Sequence, residues 1–459
     1  MAGIGFALRQ LARRDALGAN LLGYAHAAVA ACGPWLFTIA ALFGIEFVLV
    51  REVQREVLDR FSIVVIYNFA FSMVVASPIV MVVTRLLADS IHRQDTHGAV
   101  GMLLGATALL YVALAAIGVP FYGFVVDMAA TERLMALICL FVIGAIWLAA
   151  AYMSALKSYV TVSLAFGLGT VIAFVLAARL GPQHGSLGML SGFCCGLAVT
   201  LFVLYARIFV EFPYPVVRPF AFLEGFGRYR DLALAGLFYN AAVWVDKWIL
   251  WFAPGRVVIA GAMPAHPVYD GAMFLAYLSI LPSMVLMLVA VETRFHEHYL
   301  RFYRDIENHA TVRRIRANHR ALVRTASKDF QAIAVLQIVM CYLAILVAPG
   351  LIGLAKGGVE MVPIFRFASL GALFHALLVL LLAVIAYFDF RRLLLWVSGI
   401  FLVTNATLSV ASVLMGPEYH GYGYLLSTGI TLLFAYVGAA RLLARLPYMT
   451  FVANNTALD

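Results

Sequence analysis

Charge is what this chain has least of. Only 12% of its residues are Asp, Glu, Lys or Arg, about half the share in ordinary soluble domains. A water-soluble protein of 459 residues that is 64% hydrophobic would have to hide more apolar surface than a single core can hold. A soluble enzyme or a soluble binding module is therefore excluded. Cysteine is scarce too. Cys32, Cys139, Cys194, Cys195 and Cys341 all lie in apolar stretches and none forms a C-x-x-C pair, so neither a disulfide framework nor a zinc knuckle follows. The chain lacks the G-x-x-x-x-G-K-[ST] cradle, which excludes ATP hydrolysis by that route. His296, His298, His309 and His319 share one segment without a matching carboxylate or cysteine set, so no metal and no other cofactor is expected.

What is present is a series of apolar runs, each near the ~20 residues that a helix needs to cross a bilayer. Twelve are legible: 24–50, 61–84, 99–125, 133–155, 159–179 and 186–210, then 230–252, 269–291, 330–354, 364–388, 393–415 and 421–443. The fold class is all-α integral membrane, with about twelve transmembrane helices. Arg9, Arg13 and Arg14 precede the first run, but a signal-peptide core spans only ~7–15 residues, so an uncleaved first helix is expected.

The net charge of +9 could suggest nucleic acid, but the cations sit between apolar runs. With the N-terminus inside, the inner segments hold 22 Lys and Arg residues and the outer loops eight. That bias places both termini in the cytoplasm, and no nucleic-acid partner is expected. Six spans per half suggest a parallel repeat: an N-terminal six-helix bundle over 1–212, a cytoplasmic linker over 213–229, and a C-terminal bundle over 230–459. A weak echo supports it. Arg14-Asp15 precedes Tyr24 and Ala27-Ala28-Val29, while Arg230-Asp231 precedes Tyr239 and Ala241-Ala242-Val243.

The one sizeable polar piece is the cytoplasmic loop 292–329, which carries nine cations. Phe295, Tyr299, Phe302 and Ile306 fall at helical spacing, with Arg301, Arg304 and Asp305 between them. Two readings stand. One is an interfacial helix drawn to anionic membrane lipid. The other is a partner-docking surface built from Phe295, Tyr299, Arg301, Arg304, Arg313, Arg314 and Arg316.

Ionisable residues inside spans are functional candidates, because each costs free energy to place there. The seventh run reads Asn240-Ala241-Ala242-Val243-Trp244-Val245-Asp246-Lys247-Trp248-Ile249-Leu250-Trp251. At 100° per residue, Asn240, Trp244, Lys247 and Trp251 share a face, with Trp248 beside them, and Asp246 points nearly opposite. The two charges are thus not expected to neutralise each other simply, and Asp246 is expected to need a partner on a neighbouring helix. The indole face either lines a substrate pathway or forms an interfacial aromatic belt from which Lys247 snorkels. His26, Glu46, His375 and Asp389 are weaker candidates. Gly33 and Pro34, with Trp35, interrupt the first run and suggest a hinge, since proline frees a backbone carbonyl.

The opening Met1-Ala2-Gly3-Ile4-Gly5-Phe6 with Leu8-Arg9, the Gly33-Pro34-Trp35 turn, the Asp246-Lys247 pair and the stretch from Glu292 to Tyr299 resemble the PelG family over the whole chain. Ala7 departs from that pattern, where an acidic residue is usual. The resemblance implies a MATE/flippase-like fold with two six-helix bundles around a central cavity. It also implies passage of a growing exopolysaccharide, Pel-type and rich in N-acetylgalactosamine, through a bacterial inner membrane. Implied partners are a PelF-like cytoplasmic glycosyltransferase and PelD- and PelE-like membrane proteins, and loop 292–329 then becomes a docking candidate for the synthase. Two other functions remain open. An ion-coupled drug antiporter of the same fold would rely on Glu46 and Asp246. A membrane-embedded transferase would use His375 or His26, although no polar cluster at one membrane face supports it.

Overall fold

The computed structural model describes residues 36–156, 158–354 and 358–453. The Gly33-Pro34 hinge, His26 and the N-terminal half of the internal echo lie outside these residues. The described chain forms two compact units, which divide it at Pro267-Val268.

The first unit begins with α1 (Leu36–Leu49), α2 (Arg55–His92), α3 (Ala99–Pro120) and α4 (Ala130–Leu156). Next comes α5 (Tyr159–Glu211), a run of 53 residues that breaks at Gly185. There φ is 61° and ψ −139°, a conformation that side-chain-bearing residues avoid. The break falls between the two runs expected at 159–179 and 186–210. The arms of α5 fold back on each other through small residues spaced four apart, Gly169-Ala173-Ala177 against Gly192-Gly196-Thr200. A Cβ on Gly192 would come within 2.3 Å of the Ala177 nitrogen, and one on Gly196 within 2.3 Å of the Gly169 carbonyl oxygen. Backbones this close gain van der Waals contact, which drives helix pairing where lipid removes the hydrophobic incentive. Gly196→Leu should therefore prevent folding, since overpacking against rigid backbone costs upwards of about 3 kcal/mol. Size-exclusion profiles of detergent-solubilised protein check this, and a monodisperse peak at the wild-type yield would refute it.

After α5 the unit closes with α6 (Arg230–Leu250) and a two-stranded antiparallel hairpin, β1 (Val257–Ile259) with β2 (Met263–Ala265), in which Val258 faces Pro264. The second unit holds α7 (Pro267–Leu278), α8 (Leu281–Ala290), α9 (His296–Glu307), α10 (Val312–Leu354), α11 (Met361–Tyr387), α12 (Arg391–Met415) and α13 (Tyr422–Tyr448). The run expected as one helix over 269–291 is thus divided at Ser279-Ile280, just before Pro282, because proline lacks the amide hydrogen that would continue the ladder and its ring crowds the preceding turn. The ninth run starts eighteen residues earlier than its apolar part, because the basic loop is helical from Val312.

Nine helices among the described residues are long and apolar enough to cross a membrane. The protein is a multi-pass membrane protein. Its lipid-facing character shows in side chains such as Phe47, Phe124 and Leu414, each more than 80% exposed, which water would not tolerate in such numbers.

Candidate functional site

Helix α6 carries the densest set of candidate residues, and it is held along α2 at both ends. At its start Tyr229 donates its hydroxyl to Asp89 at 2.6 Å, and Arg85 pairs with the same carboxylate at 3.3 Å. In the middle, Gly236 lets the helix approach Met81 and the Ser77 carbonyl. Beyond its end, Trp251 stacks on Tyr67 with centroids 4.6 Å apart and planes 11° apart. Tyr67 in turn stacks on Phe121 and donates its hydroxyl to the Pro264 carbonyl at 2.7 Å. The hairpin is pinned a second time where the Asp127 amide donates to Ala260.

Between these anchors lies the charged pair. Asp246 has no exposed surface and Lys247 is 9% exposed. The Lys247 ammonium lies 3.3 Å from both Asp246 carboxylate oxygens and donates to the Val243 carbonyl at 2.9 Å. The expectation that the two charges stand apart is therefore corrected. The 100° separation governs the Cα–Cβ directions, but the four-carbon lysine stem swings back across it. Where the dielectric is low, attraction between opposite charges repays that bend.

The remaining members of the face divide. Trp251 is buried with its ring covered by Tyr67, which holds the hairpin. Asn240, Trp244 and Trp248 are half-buried. Asn240 donates to the Gly236 carbonyl of its own helix at 2.9 Å. Trp244 has the Lys247 ammonium 5.8 Å from its ring, and its indole Nε1 is buried without an acceptor.

Further polar side chains inside the spans are bonded to one another. In the first unit, Tyr122 donates to the Asn68 side-chain carbonyl at 2.8 Å, and the Asn68 amide donates to Ala136 at 3.0 Å. Ser186 bonds Glu132, whose carboxylate also lies 3.7 Å from Arg60. In the second unit, His375 Nδ1 and the Tyr424 hydroxyl are 2.7 Å apart, and the Tyr277 ring leans on both. Ser283 donates to Gln337 at 2.5 Å. Asn68 in a run of apolar residues was the signal available for the first of these.

Loop 292–329 forms the expected amphipathic helix, α9, joined to α8 by a wide π turn over Val291–Phe295. Its apolar side is occupied. Phe295 is 2% exposed and meets Tyr387 and Phe388 edge-on at 5.2 and 5.9 Å, while Tyr299 packs on the same two rings. These two aromatics of the expected docking set thus pack within the unit, where the helix folds its apolar stripe onto the C-terminal ends of α11 and α13. Arg314 pairs with buried Asp305 at 3.1 Å and Arg301 with Glu297 at 3.3 Å. Arg304, Arg313 and Arg316 are exposed.

A family model described as an exopolysaccharide exporter (EPS-E) matches residues 1–451. No curated protein matches the sequence. Among solved structures, an outward-facing multidrug resistance MATE family transporter of the MOP superfamily matches with a TM-score of 0.66 at 15% identity, covering 92% of this chain and 96% of that one. Its inward-facing conformation gives 0.61 at 15% identity, over 89% and 95%. A MOP superfamily transporter from Pyrococcus furiosus, described as having a binding pocket of reversed polarity, gives 0.62 at 14% identity, over 92% and 96%. The chain shares the MATE fold with these transporters.

Proposed function

The chain belongs to the PelG family of exopolysaccharide exporters, and from that membership we propose that it passes a growing Pel-type polymer rich in N-acetylgalactosamine across a bacterial inner membrane. It is a transporter and not an enzyme. In this reading twelve spans form two six-helix halves divided at 213–229, and both termini face the cytoplasm. A PelF-like glycosyltransferase delivers polymer from that side, with PelD- and PelE-like proteins beside it. Arg301 and Arg304 on the exposed side of α9 serve as the docking contacts.

The observation that carries the reading is the unpartnered indole of Trp244. A buried donor without an acceptor is costly, and a sugar hydroxyl reaching this face would satisfy it. Trp248 and Asn240 extend the same surface, and an aromatic ring with a polar handle suits a polyhydroxylated chain. The antiporter alternative needs a carboxylate free to exchange cations. Of the two carboxylates expected to serve it, Asp246 has no exposed surface and is held by Lys247, while Glu46 is exposed on α1.

The test is polymer secretion in a host deleted for the gene and complemented at matched membrane levels. Deletion should abolish extracellular polymer while the synthase still makes it. Trp244→Ala should lower export about tenfold, the equivalent of one hydrogen bond with part of a ring contact, and Trp244→Phe should lose less. Normal export from both Trp244→Ala and Trp248→Ala would remove α6 from the pathway. Polymer appearing outside without the gene would overturn the transport assignment and leave the antiporter.

A further inference from the structure

The cations of loop 292–329 do not all behave alike. Arg294, Arg301 and Arg314 each have a carboxylate within 3.3 Å. Arg313, Arg316, Arg320, Arg324 and Lys328 are exposed and, among the described residues, none forms an ion pair. All five lie on α10, which runs unbroken from Val312 into its apolar part. At ~100° per residue, Arg313, Arg320, Arg324 and Lys328 fall within about 80° of one another, with Arg316 at the margin.

The same arc continues into the lipid-facing side of the helix. Val335, Tyr342 and Leu346 are 63%, 66% and 62% exposed and project in the direction of Arg324 and Lys328. An exposed apolar stripe that turns cationic along one face is what a helix shows as it leaves hydrocarbon for a headgroup layer.

Two contacts with α13 fix the level at which that happens. His319 meets the Leu443 carbonyl at 2.8 Å, and Phe330 meets Tyr436 with ring centroids 5.7 Å apart. These rungs are eleven residues apart on α10 but seven apart on α13, so about 16 Å of α10 covers about 10 Å of α13. The helix therefore runs obliquely, so the ~22 Å of α10 between Arg313 and Lys328 covers only about 14 Å of depth along α13. Leu443 lies ~33 Å along α13 from the Gly421 turn at 1.5 Å per residue, roughly one hydrocarbon thickness. The cationic stripe straddles that edge.

We propose that Arg313, Arg316, Arg320, Arg324 and Lys328 form a binding stripe for the phosphate headgroups of anionic lipids. This rests on α10 crossing the bilayer and is independent of which solute the protein carries. It also divides the basic loop: the α10 cations hold lipid, while Arg301 and Arg304 on α9 remain turned to solvent. Each cation beside an anionic surface contributes about a fivefold gain in binding at moderate salt.

The test equilibrates the full-length purified chain in nonionic micelles holding equal amounts of phosphatidylglycerol and phosphatidylcholine, then measures retained lipid of each kind. Wild type should enrich phosphatidylglycerol. Arg320→Gln with Arg324→Gln should lower that enrichment roughly 25-fold, and raised salt should weaken it in wild type. Arg320→Lys with Arg324→Lys should keep it, as should Arg301→Gln with Arg304→Gln. Unchanged enrichment in the glutamine pair would overturn the proposal. So would an equal loss in the α9 pair or in the lysine pair. If the glutamine pair instead keeps its lipid but no longer co-purifies with an acidic cytoplasmic protein, the stripe is a protein-docking face and the lipid assignment fails.

Discussion

Asp246→Ala should strip most of the folded protein from the membrane, and Lys247→Ala should do nearly the same. Each single change leaves the partner charge buried with its counter-ion gone, a loss of about 3–5 kcal/mol and a large part of any protein's stability. Asp246→Leu combined with Lys247→Met should return the protein to near its wild-type level, because replacing both members of a buried pair with apolar groups of similar size is close to neutral. Membrane abundance and the unfolding midpoint of purified protein read the outcome. Single variants as stable as wild type would mean that the pair is not coupled energetically. Export from the double variant then separates two roles. A well-folded double variant that exports normally makes the charges structural, and one that folds but fails to export gives them a part in transport.

The second large effect is expected at Glu132. This carboxylate starts α4, is 5% exposed, and ties Arg60 of α2 to Ser186 at the start of the returning arm of α5. One acidic group thus joins three helices at one end of the unit. Glu132→Ala should cost about 2 kcal/mol, below the figure for a fully buried pair because Arg60 is partly solvated. Glu132→Gln should recover part of that by keeping the Ser186 contact. Thermal unfolding of the three proteins in one detergent decides it, and equal midpoints for Glu132→Ala and wild type would show that the contact carries no load.

Much of the architecture was legible because the bilayer imposes a length on every span. The apolar runs near 61–84, 99–125 and 133–155 fall within α2, α3 with the π-helical turn Phe121–Val125 that follows it, and α4. The gap between 179 and 186 coincides with the Gly185 break. Tertiary direction was not legible. Helical projection placed Lys247 and Asp246 on different faces, but the lysine stem is long enough to undo that. Trp251 read as a pathway residue because its cover, Tyr67, lies far away in sequence on another helix. Phe295 and Tyr299 read as docking residues for the same reason, since Tyr387 and Phe388 arrive from a later helix. In each case a ring distant in sequence decided what the residue packs against.

Because Asp246 finds its counter-ion on the next residue, α6 achieves charge balance within a single segment. During biogenesis that segment must leave the insertion channel for lipid before the rest of the protein is complete. An isolated aspartate or lysine opposes that step by about 2.5–3.5 kcal/mol at a helix centre, and by less in the last turn of α6, where this pair sits. A carboxylate paired across helices would have to wait until its partner was in the membrane. The intrahelical pair removes that dependence on order, so the helix can enter lipid first and align along α2 afterwards.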